Sequence, residues 1–227
     1  MTVLNASTRR PTTWAAPPPD WKVRSVCRGS KAVKADDFFS TSQSGQARAH
    51  AACLGCPVIV ECLQATQDLD SGTYRWGIGG GLEGSQRYAL ESEALLGNRP
   101  NLGMARVLVS PRWLLRLRDL RRVCGSLEGM TVALHGDGLM VDEVTVRVAV
   151  WWSGADAPRM AWRTPEGERS LRARLRGEYL PAISYLKGQG VPCLGIAAYL
   201  GVPGQAGARA VTEALRAAAQ KQPEVAA

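Results

Sequence analysis

Four cysteines form the most informative chemical pattern in the sequence. Cys27 is followed by Cys53, Cys56 and Cys62, so the spacing is C-x25-C-x2-C-x5-C. Thiolates bind soft or borderline metals, and four of them complete a tetrahedral zinc site or ligate a cubane iron–sulfur cluster. Structural zinc sites usually use two C-x2-C pairs or Cys with His, and the second pair is missing here. The spacing therefore favours a cluster over zinc, with redox thiols or small buried apolar side chains as further interpretations.

Short helices are predicted to carry three of these thiols. The segments GQARAHAACLGC and PVIVECLQATQDL both have helical character, and Pro57 suits the first turn of the second helix. Five of the eight positions from 77 to 84 are glycine, which predicts a backbone turn that side chains would obstruct. A further helix is expected over SQRYALESEALL. Cys124 and Cys193 stand singly on predicted helices, and we interpret both as buried apolar residues.

The bulk composition limits the class of protein. No stretch of the 227 residues approaches the roughly 18 consecutive apolar residues of a membrane-spanning helix. The first residues also lack the apolar run of a secretory signal, so we expect a soluble, cytoplasmic protein without membrane contact. In a reducing compartment six cysteines favour metal binding or redox chemistry over structural disulfides.

Positive charge is concentrated in the second half of the chain. Residues 1–98 hold ten Lys and Arg against nine Asp and Glu, whereas residues 99–227 hold eighteen against eleven. This asymmetry indicates an acidic partner for the second half, with DNA as the obvious candidate. A solvated, Arg-rich surface is the alternative. Within PRWLLRLRDLRR, the candidate phosphate contacts are Arg118, Arg121 and Arg122.

The second half is predicted to be mostly helical. Ser110 and Pro111 mark the start of one helix, while residues 144–152 fit either a strand or a helix. Residues 180–220 have the outline of a helix-turn-helix, with IAAYLGV resembling the signature of bacterial DNA-binding domains of that type. The residues opening the expected recognition helix offer few groups that read bases, and only Gln205 and Arg209 are well placed. A helical packing motif without DNA contact is the alternative.

Residues from about 20 to 92 resemble the WhiB-like iron–sulfur proteins of actinobacteria and their phages. The resemblance rests on motifs that occur in the family's order, namely Trp21, Cys27, Asp37-Phe38-Phe39, Cys53, Cys56-Pro57-Val58, Cys62 and the glycine turn at 77–81. It implies that the four cysteines each bind one iron of a [4Fe–4S] cluster, without enzymatic turnover. It also implies a mainly α fold, with a small helical bundle around the cluster. We expect Trp21, Phe38 and Phe39 to shield the cluster from solvent.

The glycine turn departs from the family pattern at one position. In the family it reads Gly-Val/Ile-Trp-Gly-Gly and lies against the C-terminal domain of the primary sigma factor of RNA polymerase. Here Gly79 stands where the family has Trp, and Trp76 lies three residues earlier. Trp76 supplies the lost ring, or it covers the cluster while the partner contact is weakened. The resemblance thus implies a partner surface formed by Trp76, Gly77, Ile78, Gly79, Gly80 and Gly81.

These observations together predict a two-part transcriptional regulator. We expect a disordered arm at 1–19, a cluster domain at 20–96, a linker at 97–103, a basic C-terminal region at 104–221 and a tail at 222–227. The cluster domain is expected to dock on the sigma factor, and the C-terminal region to contact DNA. The cluster either maintains the domain's shape or reports oxygen, nitric oxide or redox state. The alternatives are a thiol–disulfide redox protein using Cys53 and Cys56, and a zinc-stabilised adaptor.

Overall fold

The computed structural model describes Trp14 and residues 16–69, 76–154, 165–202 and 204–220, and over these ranges the protein is mainly helical, as predicted. Short 3-10 helices come first, at Trp21–Arg24, Val26–Arg28 and Ala35–Phe39. The α-helices within the described ranges are α1 (Gln43–Leu54), α2 (Ile59–Leu69), α3 (Gly84–Leu95), α4 (Leu102–Leu108), α5 (Pro111–Val123), α6 (Leu127–Gly136), α7 (Glu143–Trp152), α8 (Pro165–Arg176), α9 (Leu180–Gly188), α10 (Cys193–Tyr199) and α11 (Gln205–Gln220). Most of the predicted arm and the whole predicted tail lie outside the described residues.

The segment 144–152, which fitted either a strand or a helix, is part of α7. The Asp142 side chain accepts a hydrogen bond from the Thr145 N–H at 2.7 Å and so caps the helix. Almost every residue of α7 is buried, on all sides of the helix. A helix buried all round shows no amphipathic period, which explains why its sequence did not distinguish it from a strand.

A glycine hairpin connects the segment after α2 to α3. Strands β1 (Ile78–Gly79) and β2 (Leu82–Glu83) pair antiparallel, with Gly79 opposite Leu82. The connecting Gly80 and Gly81 have φ angles of +56° and +73°. Two-residue hairpin turns with positive φ at both positions favour glycine, which accounts for part of the predicted glycine-rich turn.

Two apolar clusters organise the rest of the molecule. The first joins residues of α2, β2 and α3 to residues of α4 through α7, including Ile59, Leu82, Leu108 and Trp152. The second is built from α8 to α11 and includes Leu175, Ile183 and Val211 among its buried residues. Described residues of the predicted cluster domain at 20–96 thus share one apolar core with α4 to α7, the first half of the basic region.

Helix α3 also packs against the second apolar cluster. It packs against α10, where a Cβ at Gly195 would lie 2.5 Å from the Tyr88 Cβ, so the two backbones approach closely. Beside this crossing, the Arg147 guanidinium of α7 donates to the Glu93 carboxylate of α3 at 2.6 Å, and both side chains are largely buried. The predicted linker at 97–103 contains the start of α4, at Leu102. The domain boundaries drawn from the sequence stay predictions.

Candidate metal centre

The four predicted ligands come from separate short elements. Cys27 lies in the 3-10 helix Val26–Arg28 and is exposed, whereas Cys53 lies in the last turn of α1 and is partly buried. Cys56 follows between α1 and α2 and is buried, and Cys62 is partly buried in α2. The thiols of Cys27, Cys56 and Cys62 all act electrostatically on Cys53, so the fold brings the set together.

Burial controls the acidity of two of these thiols. It raises the pKa of Cys53 to about 12, against a smaller lowering by a hydrogen bond from the Gly81 N–H. Burial likewise raises the pKa of Cys62, and the Gly80 N–H opposes this shift. Desolvation disfavours a thiolate that has no metal. Without a metal, Cys53 is therefore a protonated thiol and a poor nucleophile at neutral pH.

The glycine hairpin supplies hydrogen bonds to two of the sulfurs. The Gly80 N–H donates to Cys62 Sγ over 3.3 Å, and the Gly81 N–H bonds to the Cys53 thiol. A Cβ at position 80 would overlap the backbone of Leu63, because the turn lies directly on α2. Glycine at this position therefore allows the backbone to approach the thiols, in addition to allowing the positive φ.

The donor set fits an iron–sulfur cluster by its chemistry. Four thiols converge from one region, and backbone N–H groups point at two of them, which is how proteins tune the potential of such clusters. Across the described ranges, no three Cys, His, Asp or Glu side chains stand in an arrangement that could hold a metal ion. The thiols are thus close to one another without forming a closed site for a single ion.

The predicted shielding residues differ in exposure. Trp21 packs, partly buried, against the first apolar cluster, and Phe38 is also partly buried. Phe39 is 69% exposed, although its ring lies against Gly77. Trp76, the predicted partner anchor, is 74% exposed. The two exposed rings therefore flank Gly77.

The predicted partner turn itself faces mostly inward. Gly80 and Gly81 are buried, while Gly77, Ile78 and Gly79 are partly buried. A Cβ at Gly79 would already lie 2.8 Å from Thr66 Cγ2, so a Trp at this position would require the Thr66 side chain or the turn to move. The position where the family has Trp is thus occupied by close packing against α2.

Three side chains, of which Arg87 and Trp152 are buried, support the turn and its neighbourhood, and sequence reasoning singled out none of them. Arg87 donates to the carbonyls of Gly77 and Leu82 at 3.0 and 2.7 Å. Trp152 Nε1 donates to the Gly80 carbonyl at 2.8 Å, and Arg106 donates to the Cys56 carbonyl at 2.6 Å. No short motif marks these residues. The only signal was the run of apolar residues ending at Trp152, which the sequence left as strand or helix.

The predicted DNA contacts fall on two different helices. Arg118 and Arg122 are exposed on α5, and Arg121 is partly buried there. Helix α5 packs on α4, α6 and α7, whereas α11 packs on α8, α9 and α10. Gln205 and Arg209 are exposed on α11. They lie along one face of that helix with Ala208, Thr212, Glu213 and Arg216. Sequence reasoning missed Thr212 and Arg216, although both follow Arg209 at helical spacing.

The two single cysteines lie apart from the four predicted ligands. Cys124 packs, partly buried, against the first apolar cluster, and Cys193 packs in the same way against the second. Neither thiol acts on the pKa of Cys53 or Cys62. Their surroundings agree with use as small apolar residues.

Comparison with protein families identifies the cysteine-bearing part of the chain. The family model for the transcription factor WhiB matches residues 21–90, a range that contains all four clustered cysteines and the glycine hairpin. Residues 21–90 are a WhiB-family domain. The match supports a WhiB-like transcription regulator over this part of the chain, and the WhiB family is one of iron–sulfur proteins. No curated protein and no solved structure gives a significant match to the chain.

Among the described helices, no single helix has the length and apolar composition needed to cross a membrane. The bent pair formed by α1 and the segment Ile59–Gln67 passes the same test of length and composition only when the two are taken together, across a 114° bend.

Proposed function

We propose that this WhiB-like regulator binds a [4Fe–4S] cluster through Cys27, Cys53, Cys56 and Cys62, docks on the primary sigma factor and contacts DNA through its basic half. It carries out no enzymatic turnover in this proposal. The observation that carries the proposal is the grouping of four thiols, two of which accept hydrogen bonds from the N–H groups of one glycine turn. A bound cluster would supply a redox centre able to respond to oxygen or nitric oxide.

The sigma-factor contact is assigned to the exposed rings beside Gly77. Trp76 and Phe39 project from the surface, whereas the centre of the turn is buried, so the rings are the accessible part. Aromatic anchors commonly dominate protein interfaces, and Trp76→Ala should weaken binding of the full-length protein by about 2 kcal/mol. Leu115→Ala is the matched control, since Leu115 is 70% exposed on α5. Equal binding by both variants, measured by titration calorimetry with the sigma C-terminal domain, contradicts the assignment.

The DNA contact is assigned to the exposed face of α11. Arg209 and Arg216 lie on this face with Gln205 and Thr212, and α10 packs behind it, which is the arrangement expected of a recognition helix. Glu213 on the same face lies 3.7 Å from Arg172 of α8, so part of its charge is balanced within the protein. The exposed arginines of α5 are assigned to phosphate contacts, which position a protein without reading sequence.

A gel shift with the full-length protein tests the DNA contact. Binding should weaken steeply between two salt concentrations, because phosphate contacts release counterions. Replacing Arg209 and Arg216 with Ala should weaken binding and reduce any sequence preference, whereas Lys187→Ala on α9 should change little. Absence of a shift at low salt contradicts DNA binding. Loss of binding only after replacement of Arg118, Arg121 and Arg122 transfers the contact to α5.

The alternative of a thiol–disulfide redox protein has an observation against it. Exchange requires a thiolate, yet burial raises the pKa of Cys53 to about 12. At neutral pH this thiol is almost wholly protonated. Cys53 is therefore poorly suited to attack a disulfide, and its partner Cys56 is buried, so metal binding is the better use for the C-x2-C pair.

A further inference from the structure

Two side chains from outside the WhiB-matched segment bond directly to the backbone of the thiol site. Trp152, at the end of α7, is 1% exposed, and its Nε1 donates to the Gly80 carbonyl at 2.8 Å. Arg106, on α4, donates to the carbonyl of Cys56 at 2.6 Å. Both donors belong to the basic half of the chain, which the matched range of 21–90 does not include.

The hydrogen bond from Trp152 reaches a peptide group that itself contacts a thiol. The Gly80 carbonyl and the Gly81 N–H belong to one planar peptide unit. Its carbonyl accepts from the Trp152 indole, and its N–H bonds to the Cys53 thiol. Bonds in such a chain polarise one another, so a donor at the carbonyl strengthens the N–H as a donor to sulfur.

Packing holds this peptide group in place from both sides. A Cβ at Gly81 would lie 2.8 Å from Trp152 Cδ1 and 2.9 Å from the Ile59 side chain, so the turn is confined between α2 and α7. On the other side of the site, Cys56 is buried in the same apolar cluster as residues of α4 and α7. Neither Gly81 nor Cys56 has room to shift while these helices stay docked.

We infer that Trp152 and Arg106 are positioning residues of the thiol site, so that the basic half of the chain completes and tunes it. The inference rests on the proposed binding of a cluster by the four thiols. Trp152 aims the Gly80–Gly81 turn at the sulfurs of Cys53 and Cys62, and Arg106 fixes the backbone at Cys56. Side chains that hydrogen-bond to the backbone around metal ligands, without touching the metal, control how firmly a cluster is held and its reduction potential.

Replacement of the indole by a ring without a donor tests this inference in the full-length protein. Trp152→Phe keeps an aromatic ring but removes the N–H, and Trp151→Phe is the matched control on the neighbouring residue. After anaerobic purification, Trp152→Phe should lose iron to a chelator about ten-fold faster than the wild type. Its midpoint potential should also shift to more negative values, because weaker N–H donation to sulfur stabilises the reduced state less. Trp151→Phe should change neither quantity.

The outcomes separate this inference from the proposed function. A wild-type protein that binds no iron–sulfur cluster overturns both. A wild-type protein that holds the cluster, with equal chelation rates and potentials for Trp152→Phe and Trp151→Phe, overturns the role of Trp152 alone. If Trp152→Phe does not fold, Arg106→Met is the variant that tests the inference. This variant should also lose iron faster than the wild type, while Arg99→Met on an exposed arginine should not. Unchanged iron loss from Arg106→Met overturns the inference.

Discussion

The two apolar clusters of the protein differ in the groups that they enclose. The first encloses a thiol, two tryptophans and a glycine hairpin, and it takes residues from both the WhiB-matched segment and the helices that follow it. The second consists of Leu, Ile, Val and Ala from α8 to α11 and encloses no cysteine among its fully buried residues. The difference indicates that the first depends on close backbone placement around the thiols of the proposed metal site, whereas the second depends on hydrocarbon packing.

Gly80→Ala should have the largest effect on stability, and this effect should be confined to the first apolar cluster. The new Cβ would overlap the Leu63 backbone, and φ of +56° disfavours any side chain. We expect a loss of more than about 4 kcal/mol of unfolding free energy, or failure to fold, together with loss of iron. Gly97→Ala is the control, because Gly97 also has positive φ but open space around its Cβ position. It should cost only about 1 kcal/mol. Equal urea midpoints for the two variants contradict this prediction.

Arg147→Met should loosen the contact between α3 and α7, beside the crossing of α3 with α10. It leaves the Glu93 carboxylate buried without its cationic partner, while the Asn98 amide still donates to it at 3.0 Å. Removal of one partner of a buried ion pair costs about 3–5 kcal/mol, and urea unfolding should show a loss in this range. The matched surface pair is Arg116 with Asp137, where Arg116→Met should cost much less because solvent screens an exposed pair. A loss as small as that of the surface pair would mean that α3 and α7 are held by apolar packing alone.

Ile183→Ala should affect the second cluster without disturbing the first. Ile183 is fully buried, and its truncation leaves a cavity that costs about 2–5 kcal/mol. DNA affinity should fall in gel shifts, because the helices that support α11 loosen. Iron content per chain should stay at the wild-type value. Loss of iron from this variant would show that the two clusters fold as one unit.

The smallest effect on stability is expected in acid, where protonation of Asp37 removes its ion pair with Arg48. The hydrogen bond from Arg48 is the main cause that lowers the pKa of Asp37 below 3.8. The pair therefore stabilises the folded state fully above pH 3.8, and this contribution is lost as pH falls through the folded-state pKa. Arg48→Met should be less stable than the wild type at neutral pH, and the gap should close in acid. A gap that persists unchanged below the pKa of Asp37 excludes this pair as its source.

How well the structure could be predicted from the sequence depends on whether an interaction is local or joins residues far apart in the chain. Cysteine spacing, helix caps such as Ser110-Pro111 and glycine-rich turns are local, so the mainly helical fold and the glycine turn were accessible. The contacts of Trp152 with Gly80 and of Arg106 with Cys56 join residues 72 and 50 positions apart. No local pattern encodes such distant pairs. For the same reason the sequence did not reveal that α4 to α7 share a core with the cysteine-bearing segment.

The iron and sulfide content and the absorption spectrum of the anaerobically purified full-length protein test most directly whether the four cysteines hold a cluster. If Cys27, Cys53, Cys56 and Cys62 hold a [4Fe–4S] cluster, the protein should be brown, with four irons and four sulfides per chain. Each single Cys→Ala variant of this set should lose the cluster, because metal binding and folding are coupled. Cys124→Ala and Cys193→Ala should keep it. A colourless wild-type protein with one zinc or no metal, or a Cys124→Ala variant that loses iron while Cys27→Ala keeps it, would contradict the claim.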